Sequence, residues 1–174
     1  MSSSEIAAIV NVINLYPIAV DSQQWDLFDR VFTPDVQADF GGPAKWDGLA
    51  ALKQAFAMIH DPFHATQHAT QGHHVLVDGS TATCFSYVHG RFLRDVGEGG
   101  SLFASGGWYD DALTLTAEGW RIARRTCRSV WWEGNPRVME TAPGVTFEAV
   151  LDSLRTESGE GQVAHLTALH SQLR

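Results

Sequence analysis

The sequence predicts an α+β fold, with helices first and a curved antiparallel sheet after them. Apolar residues recur at helical spacing over about the first sixty residues, and they alternate with a period of two from about 64 to 133. Helices packed on one face of such a sheet are typical of the α+β class, and they would close the sheet into a cone that holds a pocket. Turn signals divide the second region into strands near 64–77, 81–94, 101–115 and 119–133: Asp78-Gly79, the run GEGG at 97–100 and Ala117-Glu118-Gly119.

Three helices are predicted before the sheet. The first begins at a capping box formed by Ser2 and Glu5, and Pro17 predicts a kink or a break within it. The second helix runs over about residues 22–31. The third carries an apolar stripe at Leu49, Leu52, Phe56 and Ile59. Between the second and third helices, the sequence predicts a turn at 33–35, a short strand at 36–40 and a loop at 41–48.

Residues 136–174 form a predicted C-terminal helical extension that follows a domain at 1–135. Asn135-Pro136 and Ala142-Pro143-Gly144 break the chain. Thr146 is predicted to cap a helix that runs to Leu154, the sequence at 157–161 reads as a linker, and a last helix carries leucines up to position 173. Such short amphipathic helices need a surface to bury against, which could be their own core, the mouth of a pocket or a neighbouring subunit.

Length and composition exclude several classes of function. A chain of 174 residues with a net charge of −8 is one domain that lacks the clustered basic residues of a nucleic-acid-binding surface. No uninterrupted apolar run approaches the roughly 18 residues of a membrane helix, and the first residues lack the basic start of a signal peptide. Two cysteines, Cys84 and Cys127, make no disulfide framework, so we expect a reduced, cytoplasmic domain with two buried thiols.

Asp21 is the first candidate functional residue, because it continues the apolar stripe of the first helix. Steps of four lead from Ile13 through Pro17 to Asp21, which places a carboxylate at the edge of the buried face. An unpaired buried carboxylate is costly, so a partner is expected. The alternative is structural, because Asp21 with Gln24 three residues later also fits the cap of the second helix. The position supports both interpretations equally.

A cluster of histidines suggests a metal site, but their spacing argues against one. On a strand, His64 and His68 lie about 13 Å apart at the usual rise per residue. No acidic ligand stands at metalloprotease spacing either, so no metal is predicted. The chain also has no glycine-rich phosphate loop, nucleophile elbow or dinucleotide fingerprint, so no cofactor is predicted. The cluster comprises His60, His64, His68, His73, His74 and His89.

His68 and His89 are better candidates for proton transfer. His68 alternates with Thr66 and Thr70 on one face of the first long strand, and His89 shares a face of the next strand with Phe85. If both faces line the cone, two imidazoles meet in an apolar pocket. There a neutral histidine is a competent general base, and a buried aspartate can orient it. The alternative for each residue is a hydrogen-bonded core histidine.

Two further features stay open at the level of sequence. Tyr16 lies on the apolar stripe of the first helix, where its hydroxyl could reach a pocket, although position alone favours plain core packing. Four arginines, at 121, 124, 125 and 128, occupy both faces of the last strand, and the alternation does not say which of them faces inward.

An ordered series of short motifs resembles the SnoaL-like branch of the NTF2-like superfamily. The resemblance spans residues 5–135 and leaves out the tail. Members of this family include cofactor-independent lyases (scytalone dehydratase, a bile-acid 7α-dehydratase and a dehydrochlorinase), polyketide cyclases, isomerases and non-catalytic binding modules. The motifs are LYPIAVDSQQWDLFDRVFTPDV at 15–36, WDG at 46–48, FHATQH at 63–68, VDGSTAT at 77–83, GGWYDDAL at 106–113 and GWRI at 119–122.

The resemblance implies an α+β cone and a site for lyase chemistry. Asp21 and His68 match the aspartate and histidine that pair in the lyases, Tyr16 matches a tyrosine five residues before that aspartate, and His89 is placed like a second pocket histidine. The implied reaction is an elimination without metal or nucleotide, in which His68 removes a proton α to a carbonyl, Asp21 orients its ring, and Tyr16 or His89 donates to the developing oxyanion. The expected pocket wall comprises Trp25, Phe40, Phe56, Phe85 and Trp108.

That wall predicts an apolar small-molecule substrate with a few oxygens, similar to a polyketide, an aromatic compound or a steroid. The family also forms dimers or trimers, so a homo-oligomer is expected. Two alternatives remain: a cyclase or isomerase that uses the same site, and a non-catalytic module for binding or assembly. The non-catalytic alternative predicts that Asp21 and His68 lie beyond hydrogen-bond reach and that no enclosed pocket exists.

Overall fold

The computed structural model describes residues 3–142, 144 and 146–173, and it has the predicted α+β architecture. The helices before the sheet are α1 (Ser3–Asp21), a 3-10 helix (Trp25–Arg30) and α2 (Leu49–His60). The strands are β1 (Phe32–Asp39), β2 (Lys45–Asp47), β3 (Ala65–Asp78), β4 (Thr81–Leu93), β5 (Leu102–Thr116) and β6 (Gly119–Gly134). The tail contains a 3-10 helix (Pro136–Met139), α3 (Leu154–Gly159) and α4 (Ala164–Gln172).

The six strands form one curved sheet in the order β2-β1-β6-β5-β4-β3. All neighbours are antiparallel except β1 and β6, which run parallel. The three predicted turns connect the four long strands, which confirms the predicted meander. Helices α1 and α2 cover the concave face, and the main core lies between them and the sheet.

The first half differs from the prediction in three places. The predicted helix at 22–31 is a shorter 3-10 helix, and the predicted loop at 41–48 contains β2, where Trp46 pairs with Ala38. The predicted turn at 33–35 lies inside β1, where the register against β6 shifts. Pro17 does not break α1, because Ile13, Tyr16 and Val20 anchor that helix in the core on either side of it. The predicted cap at Ser2 lies outside the described residues.

The helix predicted to start at Thr146 is wrong. Residues 146–152 form no helix, and Leu151 forms an isolated parallel bridge with Ser129 of β6. The reason lies in the sheet, because β1 ends at Asp39, opposite Thr126, and so leaves the next part of that edge of β6 free. The tail takes up this edge, and the Asp152 N–H donates to the Ser129 carbonyl at 2.8 Å.

The tail then folds onto the convex face of the sheet. Ser153 caps α3 by accepting a hydrogen bond from the Thr156 N–H, so α3 includes part of the predicted linker at 157–161. Asp110 of β5 is fully buried and accepts from the N–H groups of Ala164 and His165 at the start of α4. The helix predicted in the last stretch is therefore present. The division at residue 135 stays a prediction.

Helix α1 also matches the length and apolar composition of a membrane-spanning helix. Core helices of folded domains meet the same two criteria, and Ile9, Ile13 and Val20 of α1 are completely buried against the sheet. The expectation of no membrane association stays a prediction.

Candidate active site

Asp21 and His68 are in direct contact. Asp21 is the last residue of α1, and His68 lies in β3, which packs against that helix. The His68 Nδ1 atom is 2.7 Å from Asp21 Oδ1, and the His68 backbone N–H donates to Oδ2 at 2.8 Å. Thr66, two residues earlier on the same face of β3, donates its hydroxyl to Oδ1 at 2.8 Å. Two alternating positions of one strand therefore hold the carboxylate that ends the helix.

This geometry decides between the two interpretations of Asp21. The 3-10 helix that follows has Gln24 at its N-cap, with no side-chain cap. Asp21 is thus the partner of β3 and not the cap of the second helix. The predicted contact with His68 is present, while the catalytic roles of both residues stay predictions.

The hydrogen bonds fix the ionisation of Asp21 and the tautomer of His68. Burial opposes ionisation of Asp21, but the hydrogen bonds from His68 and Thr66 outweigh it and lower the pKa of the carboxyl below its usual value. An ionised carboxylate only accepts hydrogen bonds, so Nδ1 of His68 is the donor. In the neutral ring, Nε2 therefore carries the lone pair, which is the state of a general base.

His68 lies in the wall of a cavity of about 460 Å³ between the two helices, the concave face of the sheet and the tail. Its side chain is 8% exposed, whereas that of Asp21 is 24% exposed. Nine aromatic residues contribute to the remaining wall, and residues 146–151 of the tail complete it. The aromatic residues of the wall are Tyr16, Phe40, Trp46, Phe56, Phe92, Phe103, Tyr109, Trp132 and Phe147.

Tyr16, Phe40, Phe56 and His68 line this cavity as predicted, but four other predicted residues do not. Phe85, His89 and Trp108 were predicted on the wrong face of their strands. In β4 the residues that face the cavity are Val88, Gly90 and Phe92, so the odd-numbered Phe85 and His89 point to the opposite side.

The four displaced residues have other partners. Phe85 and Trp108 stack on the convex face with ring centroids 6.0 Å apart, in a cluster with Val163 of the tail. The His89 ring lies 5.7 Å from that of Trp131. Trp25 packs behind the wall, against Phe56 and His60, and does not reach the cavity.

A charged cluster lies beneath the tyrosines of the wall. Arg125 of the last strand is buried in the core, where its guanidinium donates to both carboxylate oxygens of Asp111 at 2.8 and 2.7 Å. The same guanidinium lies 4.3 Å from the ring centroid of Tyr16 and 4.0 Å from that of Tyr109. All of these side chains are buried. A buried pair of this kind is costly to break, so it rigidly supports the tyrosines. Arg128 of the same strand is the arginine that borders the cavity.

The rings of Tyr16 and Tyr109 pack edge to face with centroids 5.9 Å apart, and burial raises the pKa of both phenols well above the usual value. Both hydroxyl groups are therefore protonated at neutral pH and can act only as neutral donors or acceptors. Both interpretations of Tyr16 therefore apply: its ring packs in the core, and the residue also borders the cavity. Its catalytic role stays a prediction.

Sequence reasoning did not assign a role to His60, the last residue of α2. It is buried and borders the same cavity, with its ring centroid 6.4 Å from that of His68. The signal was its spacing, because His60 lies four residues after Phe56 on the apolar stripe. Within residues 3–142, 144 and 146–173, no group of three or more His, Cys, Asp and Glu side chains is arranged to hold a metal ion.

A helix-covered curved sheet that encloses a pocket is the NTF2-like form of the α+β class. Comparison with known families makes the assignment specific, because residues 1–126 match the SnoaL-like domain. The chain therefore belongs to the SnoaL-like family.

Related proteins agree with this assignment. The uncharacterized protein Rv2910c of Mycobacterium tuberculosis is 32% identical over 133 residues, which cover 72% of this chain and 87% of the relative. The Kfla4162 protein of Kribbella flavida has a TM-score of 0.73 at 26% identity, over 78% of this chain and 97% of its own. A candidate scytalone dehydratase of Novosphingobium aromaticivorans has a TM-score of 0.70 at 18% identity, over 86% and 95%.

A hexachlorocyclohexane dehydrochlorinase of Novosphingobium barchaimii shares the fold as well. Its TM-score is 0.67 at 13% identity, over 84% of this chain and 96% of its own. At such low identity the likeness concerns the fold, and the site must be judged on its own geometry.

Proposed function

We propose that this protein is a cofactor-independent lyase of the dehydratase type, acting on an apolar, oxygenated small molecule. The observation that carries the proposal is the Asp21–His68 contact in the wall of an apolar cavity. The family and its structural relatives support it, since they include a candidate dehydratase and a dehydrochlorinase.

In the proposed reaction, Nε2 of His68 removes a proton from a carbon next to a carbonyl group. The electrons of that C–H bond form an enolate, and Asp21 stabilises the imidazolium that results. The enolate then re-forms the carbonyl and expels a hydroxyl group from the adjacent carbon. The proton held by His68 passes to this leaving oxygen, so that water departs and the ring returns to its neutral form.

The oxyanion of the enolate needs a donor in a site with few polar groups. Tyr16 borders the cavity and stays protonated because burial raises its pKa, so its hydroxyl is the proposed donor. Tyr109, whose ring packs edge to face against that of Tyr16 and which also borders the cavity, would hold Tyr16 in place. The aromatic rings of the wall favour a flat or polycyclic substrate.

The test uses a bicyclic probe, a β-hydroxytetralone, which forms naphthol when it loses water. We expect the wild-type protein to form naphthol, and His68→Ala to lower kcat/KM by about 10²–10⁴-fold, the usual contribution of a general base. His64→Ala is the matched control, because His64 is exposed, four residues earlier in the chain, and outside the cavity wall. Undiminished turnover by His68→Ala would remove the proposed mechanism.

The same enolate also serves cyclisation or isomerisation, and product mass separates these reactions from elimination. Loss of water supports the lyase, whereas an isomer of unchanged mass supports a cyclase or isomerase. The non-catalytic alternative predicted that Asp21 and His68 lie beyond hydrogen-bond reach, and their contact supports the catalytic proposal instead.

We also propose that the protein forms a homo-oligomer, a dimer or a trimer, through the convex side of the sheet. Large apolar side chains there are exposed, among them Tyr87 at 46% and Trp131 at 40%. Sedimentation that finds only monomer would contradict this. Cys84 and Cys127 are both free, and burial raises the pKa of each thiol to about 12. Cys84 is buried, as a packing role requires, whereas Cys127 is partly buried and borders the cavity.

A further inference from the structure

A third residue, Thr66, contacts the pair of Asp21 and His68 from outside the cavity. Its hydroxyl donates to Asp21 Oδ1 at 2.8 Å, and the same oxygen lies 2.7 Å from Nδ1 of His68. Thr66 lies two residues before His68 on one face of β3, and it is not part of the cavity wall. A molecule in the cavity would therefore meet His68 directly, and Thr66 would act on the reaction only through Asp21.

The two carboxylate oxygens of Asp21 have different donors. Oδ2 accepts from the backbone N–H of His68 at 2.8 Å, a bond that does not depend on any side chain of β3. Oδ1 accepts from the Thr66 hydroxyl and from the His68 ring together. Within the described part of the chain, Thr66 is thus the one side chain besides His68 that donates to this carboxylate.

The Thr66 hydrogen bond acts on the charge of Asp21. Burial alone would raise the pKa of this carboxyl, but the hydrogen bonds from His68 and Thr66 bring the pKa below its usual value. The hydroxyl also places the positive end of its dipole on the oxygen that faces the His68 ring. It thereby stabilises the charge on Oδ1 and weakens the attraction between Asp21 and a protonated ring, so the ring gives up its proton more easily.

Asp21 is the charged group that acts most strongly on the His68 ring. The other titratable neighbour is His60 of α2, whose ring centroid lies 6.4 Å away. Burial lowers the pKa of His60 to about 4, so this ring is neutral at physiological pH. From β4, the His68 ring meets Phe92 at a centroid distance of 5.2 Å and Gly90, and neither residue titrates. A change in the donors of Asp21 should therefore appear in the titration of His68.

We infer that Thr66 is a positioning residue, whose hydroxyl holds the Asp21 carboxylate against the His68 ring and limits how strongly that ring retains a proton. The inference deepens the proposed function and rests on it for the role of His68 as a base. In the proposed reaction Nε2 takes a proton from carbon and then returns it to the leaving oxygen. The first step favours a stronger base and the second a weaker one, and Thr66 sets the balance between them.

Three substitutions separate this role from plain packing. Thr66→Val keeps the shape of the side chain but replaces the hydroxyl with a methyl group, which also keeps water from taking its place at Oδ1. Thr66→Ser keeps the hydroxyl and loses the methyl group. Thr70→Val is the matched control, because Thr70 lies on the same face of β3 and donates its hydroxyl to Asn14 at 2.8 Å and not to Asp21.

The first measurement needs no substrate: NMR follows the titration of the His68 ring in protein with 15N-labelled histidine, and His68→Ala identifies the resonances. In Thr66→Val the ring should be half protonated at a pH about half a unit or more above that of the wild type. Thr66→Ser and Thr70→Val should titrate as the wild type does. Thr66→Ala, which also lacks the hydroxyl, should give a rise of the same sign and serves if the valine variant does not fold.

The second measurement is the pH profile of kcat for naphthol formation. In Thr66→Val the rise of kcat with pH should move upwards by the same interval as the ring titration, while KM stays within about twofold of the wild type. Above that rise kcat should be several-fold lower, because the proton returns to the leaving oxygen more slowly. A ring titration that is unchanged or lower in Thr66→Val, or that rises equally in Thr66→Ser, would overturn the inference.

Failure of the proposed function has a different signature. If the lyase proposal is wrong, β-hydroxytetralone yields no naphthol in the wild-type protein, while the ring titration of His68 still moves in Thr66→Val. If only the Thr66 inference is wrong, naphthol forms and depends on His68, while the ring of His68 titrates in Thr66→Val as it does in the wild type.

Discussion

On each side of the sheet, a histidine of a strand lies next to a histidine of a covering helix, and the two pairs differ in what their nitrogens contact. On the concave face, His60 and His68 border a cavity, and each ring has one nitrogen engaged. On the convex face, His165 has both nitrogens occupied, by His74 and by Thr83, each at 2.8 Å. His165 is almost completely buried under α4. A histidine with both nitrogens satisfied by the fold holds structure together, whereas one with a free nitrogen in a cavity is available for chemistry.

The largest effect is expected from removing the charge of the concave pair. Asp21→Asn keeps the size of the side chain but loses the charge that stabilises a protonated His68. We expect kcat for naphthol formation to fall on the order of 10⁴-fold, as in the aspartate–histidine pair of serine proteases. Stopped assays of initial rate measure this effect. Near-normal turnover would mean that His68 needs no carboxylate partner.

Substitution in the convex pair, His74 and His165, should lower the stability of the protein and not its activity. His165→Phe leaves Thr83 and His74 without their shared partner, so the free energy of unfolding should fall by about 1–3 kcal/mol at neutral pH. The rate of naphthol formation should stay near that of the wild type, because His165 is not part of the cavity wall. Urea titration and the activity assay measure the two effects. A variant with lower turnover and unchanged stability would contradict the structural role of His165.

Acid should destabilise both faces. Burial lowers the pKa of His60 and of His165 from 6.5 to about 4, so the folded state disfavours the protonated rings. Below pH 6.5 the unfolded chain binds these protons first, and stability is lost as the pH falls towards 4. At pH 5 the loss is on the order of 2 kcal/mol per histidine relative to neutral pH. Urea midpoints across this range measure the loss of stability. His165→Phe should abolish the part of that loss that comes from His165. A flat profile would contradict the burial of both rings.

The smallest expected effects come from substitutions on the two faces of β4. Gly90 faces the cavity, and a Cβ atom there would lie 3.3 Å from Cδ2 of His68, so Gly90→Ala should lower turnover several-fold by crowding the ring. His89→Ala, one residue earlier and on the other face, should leave turnover unchanged. Steady-state kinetics of both variants measure this. A loss of turnover in His89→Ala alone would instead support the prediction from the sequence, in which His89 faces the cavity.

The residue patterns alone did not predict the contact between Asp21 and His68. The helical stripe that ends in Asp21 predicted a partner for this carboxylate, and the alternation of Thr66 with His68 placed an imidazole on one face of a strand. The resemblance then favoured the functional interpretation over the helix cap.

The inward face of β4 could not be obtained in the same way. Alternation defines two faces, but it does not say which one turns inward. The conspicuous Phe85 and His89 were assigned to the cavity, whereas Gly90, which does border it, is inconspicuous because it has no side chain. The convex face is aromatic since the tail covers part of it, as the contact of Val163 with Phe85 and Trp108 illustrates.

The tail shows the same limitation. An apolar stretch near Phe147 and Leu151 fits either a helix or an extended segment. The choice depends on a free edge of β6, which exists only once β1 has paired and ended. His60 was not assigned for a related reason, because its place in the wall follows from a cavity that the sequence does not display.

The central claim is that Asp21 and His68 act as one unit on a substrate in the cavity. A double-mutant cycle on kcat for naphthol formation, with Asp21→Asn, His68→Ala and the double variant, tests it most directly. The account predicts strong non-additivity, with the double variant no slower than His68→Ala alone. Losses that simply multiply would contradict it, because they would show two residues that contribute independently.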